Sequence, residues 1–174
     1  MTSSLIDGVE GRPLVGVTYL GLPWDPVPAD TQLVDVVNRA VVLDFDGVRL
    51  AIRWDLRPPV ERLAVESYGE SSAVAPLTTS HDVSHRWRSV IGGVLNAHAW
   101  GWHEVESGTE VWAVALRFSN AQTLFIALGE LVEGAPIYLP DSLVVTASER
   151  IAKAYRPRAA LNIPWDEGGA GMQV

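Results

Sequence analysis

The stretch from Trp112 to Leu131, WAVALRFSNAQTLFIALGEL, decides the fold because it reads as a complete β-hairpin. Trp112, Val114, Leu116 and Phe118 form one apolar row, and Leu124, Ile126 and Leu128 continue it beyond the polar break at Ser119 and Asn120. A period of two is the signature of strands that face a core on one side. A shorter counterpart lies earlier, at Ala40 to Trp54, AVVLDFDGVRLAIRW. Here Val41, Leu43 and Phe45 stand opposite Leu50, Ile52 and Trp54, with Asp46-Gly47 between them. Asp-Gly between alternating runs predicts a type I′ turn, since both central residues need positive φ.

Laid side by side, AVVLDF at 40–45 matches AVALRF at 113–118, and LAI at 50–52 matches LFI at 124–126, with one extra residue in the second turn. The outer faces differ. Asp44, Arg49, Arg53 and Asp55 predict a solvated face on the first hairpin, whereas Ala113, Ala115, Thr123, Phe125 and Ala127 predict that the second is covered on both sides.

Outside the hairpins, strands are expected over Leu14–Leu20, Val60–Glu66, Val94–Val105, Ile137–Leu139 and Leu143–Ala147, separated by proline and glycine breaks. Residues 67–79 read as a loop. Val83, Trp87, Val90 and Ile91 follow the period of a helix that Ser80 or Asp82 would cap and Gly92-Gly93 would end. The second hairpin is that helix's expected docking surface. Ser148 caps a short terminal helix, Glu149 to Tyr155. The fold class is therefore mainly β with minor α. Two similar antiparallel strand-plus-hairpin units, 14–54 and 94–131, form a β-sandwich or a partly closed barrel. Residues 1–12 are expected to be a loose N-terminus, 13–157 a single domain with an internal duplication, and 158–174 a tail ending in disorder. LGLPWD at 20–25 recurs as LNIPWD at 161–166, which predicts Trp24 and Trp165 as buried anchors.

At 174 residues and 48% hydrophobic, the chain suits one domain with a substantial core. It has no cysteine, so disulfides, thiol nucleophiles and thiolate metal sites are excluded. No apolar stretch approaches the roughly 18 residues of a membrane span, and no basic leader precedes an apolar run. The expectation is a cytoplasmic protein without a membrane partner. A formal charge of −8 argues against nucleic acid and permits a basic protein partner. Of the 13 basic residues Lys153 is the one lysine, a bias that fits a GC-rich bacterial genome.

The strand richest in chemistry is Asn96 to Glu104, NAHAWGWHE. Alternation puts Asn96, His98, Trp100, Trp102 and Glu104 on one face and Ala97, Ala99 and Gly101 on the other. Aromatic platforms mixed with hydrogen-bonding groups build ligand pockets, and they equally build interface anchors. His81 and His85, four apart, suit a metal if both lie on one helical face, with His98 or His103 as a third ligand. Glu104 with Glu106, and Asp44 with Asp46, are acid pairs beside turns and read as solvated residues. No Gly-x-Ser-x-Gly elbow, P-loop or Gly-x-Gly-x-x-Gly is present, so no catalytic motif is complete. The leading expectation is a non-enzymatic interaction protein of the immunity or antitoxin kind that binds a basic partner and carries no cofactor. The alternative is a small-molecule-binding β-barrel, with His98 or Glu104 as acid/base.

Overall fold

A computed structural model of the chain describes residues 2–26, 33–57, 60–69, 78–106 and 108–165. It is a sandwich of two five-stranded antiparallel sheets. The first runs β5-β4-β3-β1-β6, built from β1 (Gly16–Gly21), β3 (Ala40–Phe45), β4 (Val48–Arg57), β5 (Val60–Ser67) and β6 (Thr79–Asp82). The second runs β2-β12-β9-β8-β7, from β2 (Asp35–Val37), β7 (Leu95–Val105), β8 (Gly108–Phe118), β9 (Thr123–Leu128) and β12 (Leu143–Thr146). A small hairpin, β10 (Glu130–Val132) with β11 (Ala135–Ile137), stands apart, and helices α1 (Thr2–Asp7) and α2 (Glu149–Ala154) flank the sheets. The two predicted hairpins thus fall in different sheets with the same local order, β4-β3-β1 in one and β9-β8-β7 in the other.

Their turns follow the residues. Asp46 and Gly47 take φ of 47° and 87°, the pair of positive angles a two-residue hairpin turn requires. The second turn has its extra residue at Ala121, φ 61°, closed by Phe118 N–H donating to the Gln122 carbonyl at 2.9 Å. The inward rows meet as expected: Val41, Leu43, Phe45, Leu50 and Ile52 join Val114, Leu116, Phe118, Leu124, Ile126 and Leu128 in one core, all 3% exposed or less. The sheets remain open at their edges, so the partly closed barrel is set aside in favour of the sandwich.

Expectations for three segments are corrected first. The N-terminus is not loose: α1 forms, and Ile6 and Val9, each 1% exposed, enter the core. Ile6 lies in α1 and Val9 in the turn after it, where Val9 N–H donates to the Ile6 carbonyl at 3.0 Å, so the two apolar side chains pin the helix end. The internal helix shrinks to one 3-10 turn, Ser84–Trp87. Its expected first turn is consumed as β6 pairing with β1, and Val83 N–H donates to the Val17 carbonyl at 2.9 Å. Too few residues remain before Gly92 to propagate a helix. The periodicity still marks burial, because Val83, Trp87 and Val90 are all 5% exposed or less. Neither Ser80 nor Asp82 is the cap, which is Val83 without a side-chain bond; Asp82 instead accepts from Ser84 N–H at 2.9 Å and Ser84 Oγ at 2.6 Å, and those bonds hold its carboxyl below its usual range. The outer face of the first hairpin is not solvated throughout: Leu20, Ala40, Val42 and Ala51 form a second buried cluster with Tyr68, and Asp55 is 6% exposed between Arg53 and Arg62.

The second hairpin is covered on both faces, but not by the segment expected. Trp112, at a register shift between β7 and β8, leaves the inward row and meets Tyr155 and Trp165 edge-on at 5.5 and 5.4 Å. Phe125 meets the same Trp165 at 5.3 Å. The cover over Ala113, Ala115, Phe125 and Ala127 is thus α2 and the segment ending at Trp165. Trp165 is a buried anchor at 5% exposure, whereas Trp24 is 77% exposed and anchors nothing. The 67–79 loop lies largely, and the 167–174 tail wholly, outside the described residues. Among the described residues no helix is long and apolar enough to cross a membrane.

Candidate functional site

The Asn96 to Glu104 strand is β7, the last strand of its sheet, and its free edge is occupied by the chain's own C-terminal segment. Glu104 N–H donates to the Ala159 carbonyl at 3.0 Å and Leu161 N–H to the Trp102 carbonyl at 2.8 Å. Asn162 completes the pairing, accepting from Trp102 N–H at 2.7 Å and donating to the Trp100 carbonyl at 2.8 Å. The small face predicted for Ala97, Ala99 and Gly101 is used here: a Cβ on Gly101 would sit 2.9 Å from Pro164 and from the Trp112 ring.

The large-residue row divides. Asn96 and Glu104 are exposed. His98 and Trp100 pair across the ladder with Leu116 and Val114, which puts them over the inter-sheet core, and Trp102 packs half-buried against it. His98 then turns to the N-terminal helix: Nδ1 lies 2.9 Å from Glu10 Oε1, and Nε2 lies 3.6 Å from Asp7 Oδ1. Asp7, Glu10 and His98 are the one group of three potential metal ligands among the described residues. His81 and His85 belong to no such group, since His81 is in β6 opposite Tyr19 and His85 is exposed on the 3-10 turn. A strand residue and a helical residue do not share the helical face that the metal expectation needs.

His103 belongs to a cluster the alternation missed. Its ring is 1% exposed, with Nε2 3.0 Å from the Glu61 carbonyl and Nδ1 3.4 Å from the Tyr138 hydroxyl. Tyr138 in turn donates to Glu61 Oε2 at 3.1 Å. Burial pushes the His103 imidazole below its usual range, while burial and the Glu61 charge push the Tyr138 phenol up. Nε2 therefore donates to the carbonyl and Nδ1 is left as a bare acceptor. Glu61 comes from the other sheet, so only three-dimensional pairing could have revealed the set.

A second buried polar knot holds the opposite side. Asp35, 1% exposed, accepts from the Tyr19 hydroxyl at 2.9 Å and is gripped by both Nε and Nη2 of Arg86. A cavity of about 450 Å³ lies beside it, lined by Leu33, His85, Arg86, Trp87, Arg88, Ser89, Ala147 and Ser148. No residue of the Asn96 to Glu104 row lines that cavity.

The strongest surface feature comes from register. Because β7 pairs with β8, β8 with β9 and β9 with β12, the β7-β8 turn and the β9-β12 connection reach the same end of the second sheet, and the β8-β9 turn reaches the other. The shared end carries Glu104 and Glu106, then Glu130 and Glu133, then Asp141, all exposed, with Glu110 half-buried behind them. Beside them the small hairpin shows Val132 and Ile137 at 47% and 38% exposure. Of the nearby basic groups, Arg62 is already paired with Asp55 and Glu110, and Arg156 and Arg158 lie in the segment that borders β7. Dispersed in sequence, these acids are assembled only by the turns. No family model matches the chain, and no curated protein or solved structure matches it either.

Proposed function

We propose that this chain is a non-enzymatic interaction protein for a cationic protein partner, the relation an immunity protein has to a basic toxin. The supporting observation is the end of the second sheet, where five exposed carboxylates share one end with a small hairpin that shows two exposed aliphatic side chains. An apolar centre with a charged rim is how interfaces combine anchoring with steering, and a field of one sign speeds encounter with its opposite. The net charge of −8 works in the same direction. The sequence-based anchors Trp100 and Trp102 are half-buried and edge-paired, so in this reading they support the surface from beneath.

The test compares two immobilised forms of the full chain, wild type and Glu106→Lys/Glu130→Lys/Glu133→Lys, exposed to proteins of the chain's own source. The expected result is a basic protein retained by the wild type, released as salt rises, and not retained by the triple variant. Equal retention on both forms, or none on either, rejects the proposal.

A further inference from the structure

We propose that Asp7, Glu10 and His98 bind a divalent transition-metal ion of the zinc or manganese type, which fastens the N-terminal helix to the edge strand of the second sheet. The three are held in place independently of one another. Asp7 ends α1, and Ile6 and Val9 anchor that turn from its other side at 1% exposure each. Immediately after Glu10 the chain pairs with the start of β7: Gly11 N–H donates to the Leu95 carbonyl at 2.8 Å, and Leu95 N–H to the Arg12 carbonyl at 3.0 Å. The acid pair is therefore fixed a few residues from His98, whose side chain is 10% exposed and meets Trp100 edge-on at 5.5 Å.

The geometry suits a cation. One oxygen or nitrogen from each residue lies within 4.8 Å of the others, the Glu10 carboxylate 2.9 Å from Nδ1 and the Asp7 carboxylate 3.6 Å from Nε2. Donors about 2.1 Å from a metal stand about 3–4 Å from one another, so an ion on Nδ1 is within reach of Glu10 and gains Asp7 once that exposed carboxylate swings over from Nε2. The ring supplies a second argument. A neutral imidazole has one N–H and one lone pair, yet here both nitrogens face carboxylate oxygens. One contact therefore sets a lone pair against a negative oxygen unless that nitrogen carries a second proton or holds a cation. One imidazole and two carboxylates match the preferences of zinc, manganese and iron, and three protein ligands leave positions for water. Asp7 and Glu10 are 54% and 39% exposed, which gives the ion an entry path.

The experiment uses untagged full-length protein stripped with a chelator. Zinc chloride, then manganese chloride, is titrated by calorimetry, and the melting temperature is followed at each metal concentration. One equivalent should bind, and the melting temperature should keep rising with excess metal, as mass action requires. His98→Asn should abolish binding. Glu10→Gln should weaken it by at least about tenfold, the low end of what even an outer-sphere partner contributes. His81→Asn and His85→Asn should change nothing. If His98→Asn fails to fold, Glu10→Gln carries the comparison. Absence of binding by either ion, or affinity retained in Glu10→Gln, overturns the proposal. So does a melting temperature that responds to pH through His98 but to neither metal, which makes the ring a protonated clamp instead.

Discussion

At the scale of single residues, two buried polar groups are the most exposed to test. Asp35 is shared by Tyr19 and Arg86, and the Arg86 side chain is 6% exposed. Removing one partner of such a pair leaves the other charge in a poor dielectric, which costs about 3–5 kcal/mol. Asp35→Ala should lower the free energy of urea unfolding by that order, and a loss below about 1 kcal/mol would show that Arg86 finds water or another acceptor. His103 makes a pH prediction of definite sign. Burial holds its folded-state pKa below the unfolded value of 6.5, so between the two the unfolded chain binds the extra proton. The contribution is full above pH 6.5 and is lost as pH falls through the lower, folded value. His103→Gln should flatten the stability-against-pH curve below pH 6.5, and an unchanged slope would assign that slope to other groups. Neither group could be identified from the sequence as a site. Asp35 and Arg86 are 51 positions apart and His103 and Glu61 42 apart, and no local pattern encodes such pairings.

At the scale of elements, the hairpins were the most legible part of the chain, because alternation, an Asp-Gly turn and a shared apolar alphabet all indicated the same structure. The 83–91 segment was misread as a helix because a period near 3.6 reports which side chains are buried, not which backbone carries them. Its first residues were claimed by β1. The echo between 20–25 and 161–166 shows the same limit, since identical Pro-Trp pairs end in opposite environments. Trp165 seals Trp112 and Phe125 from solvent, and Trp165→Ala should cost about 3–5 kcal/mol. Trp24→Ala, at 77% exposure, should stay within about 0.5 kcal/mol. Thermal or urea unfolding of the two variants side by side checks the contrast, and equal losses would remove the role given to Trp165. Part of the row on β7 was legible too, in the sense that its small face does pack closely. The separate environments of His98, in the row, and His103, outside it, were not, because each depends on an element far along the chain.

At the scale of the whole molecule, the C-terminal segment closes what the two sheets leave open. A terminal strand presents unpaired N–H and C=O groups, a template for pairing with a second copy. β7 would be such a strand from Trp100 to Glu104 if the 159–162 stretch did not occupy it there, as Gly11 and Arg12 do at Leu95. The same segment continues to Trp165, which covers the apolar outer face of β8 and β9, so one short piece of chain protects both an edge and a face. A chain ending at Pro157 loses both at once. It should self-associate at micromolar concentration, visible by light scattering coupled to size exclusion, and its aggregates should bind a β-specific dye. Trp165→Ala keeps the edge pairing while losing the face, so it should unfold more easily yet remain in the same oligomeric state as the wild type. Self-association of Trp165→Ala equal to that of the truncated chain would place the protection in the buried face alone. A well-behaved truncated chain would mean that β7, with Asn96 and Glu104 exposed along it, guards its own edge by charge and polarity.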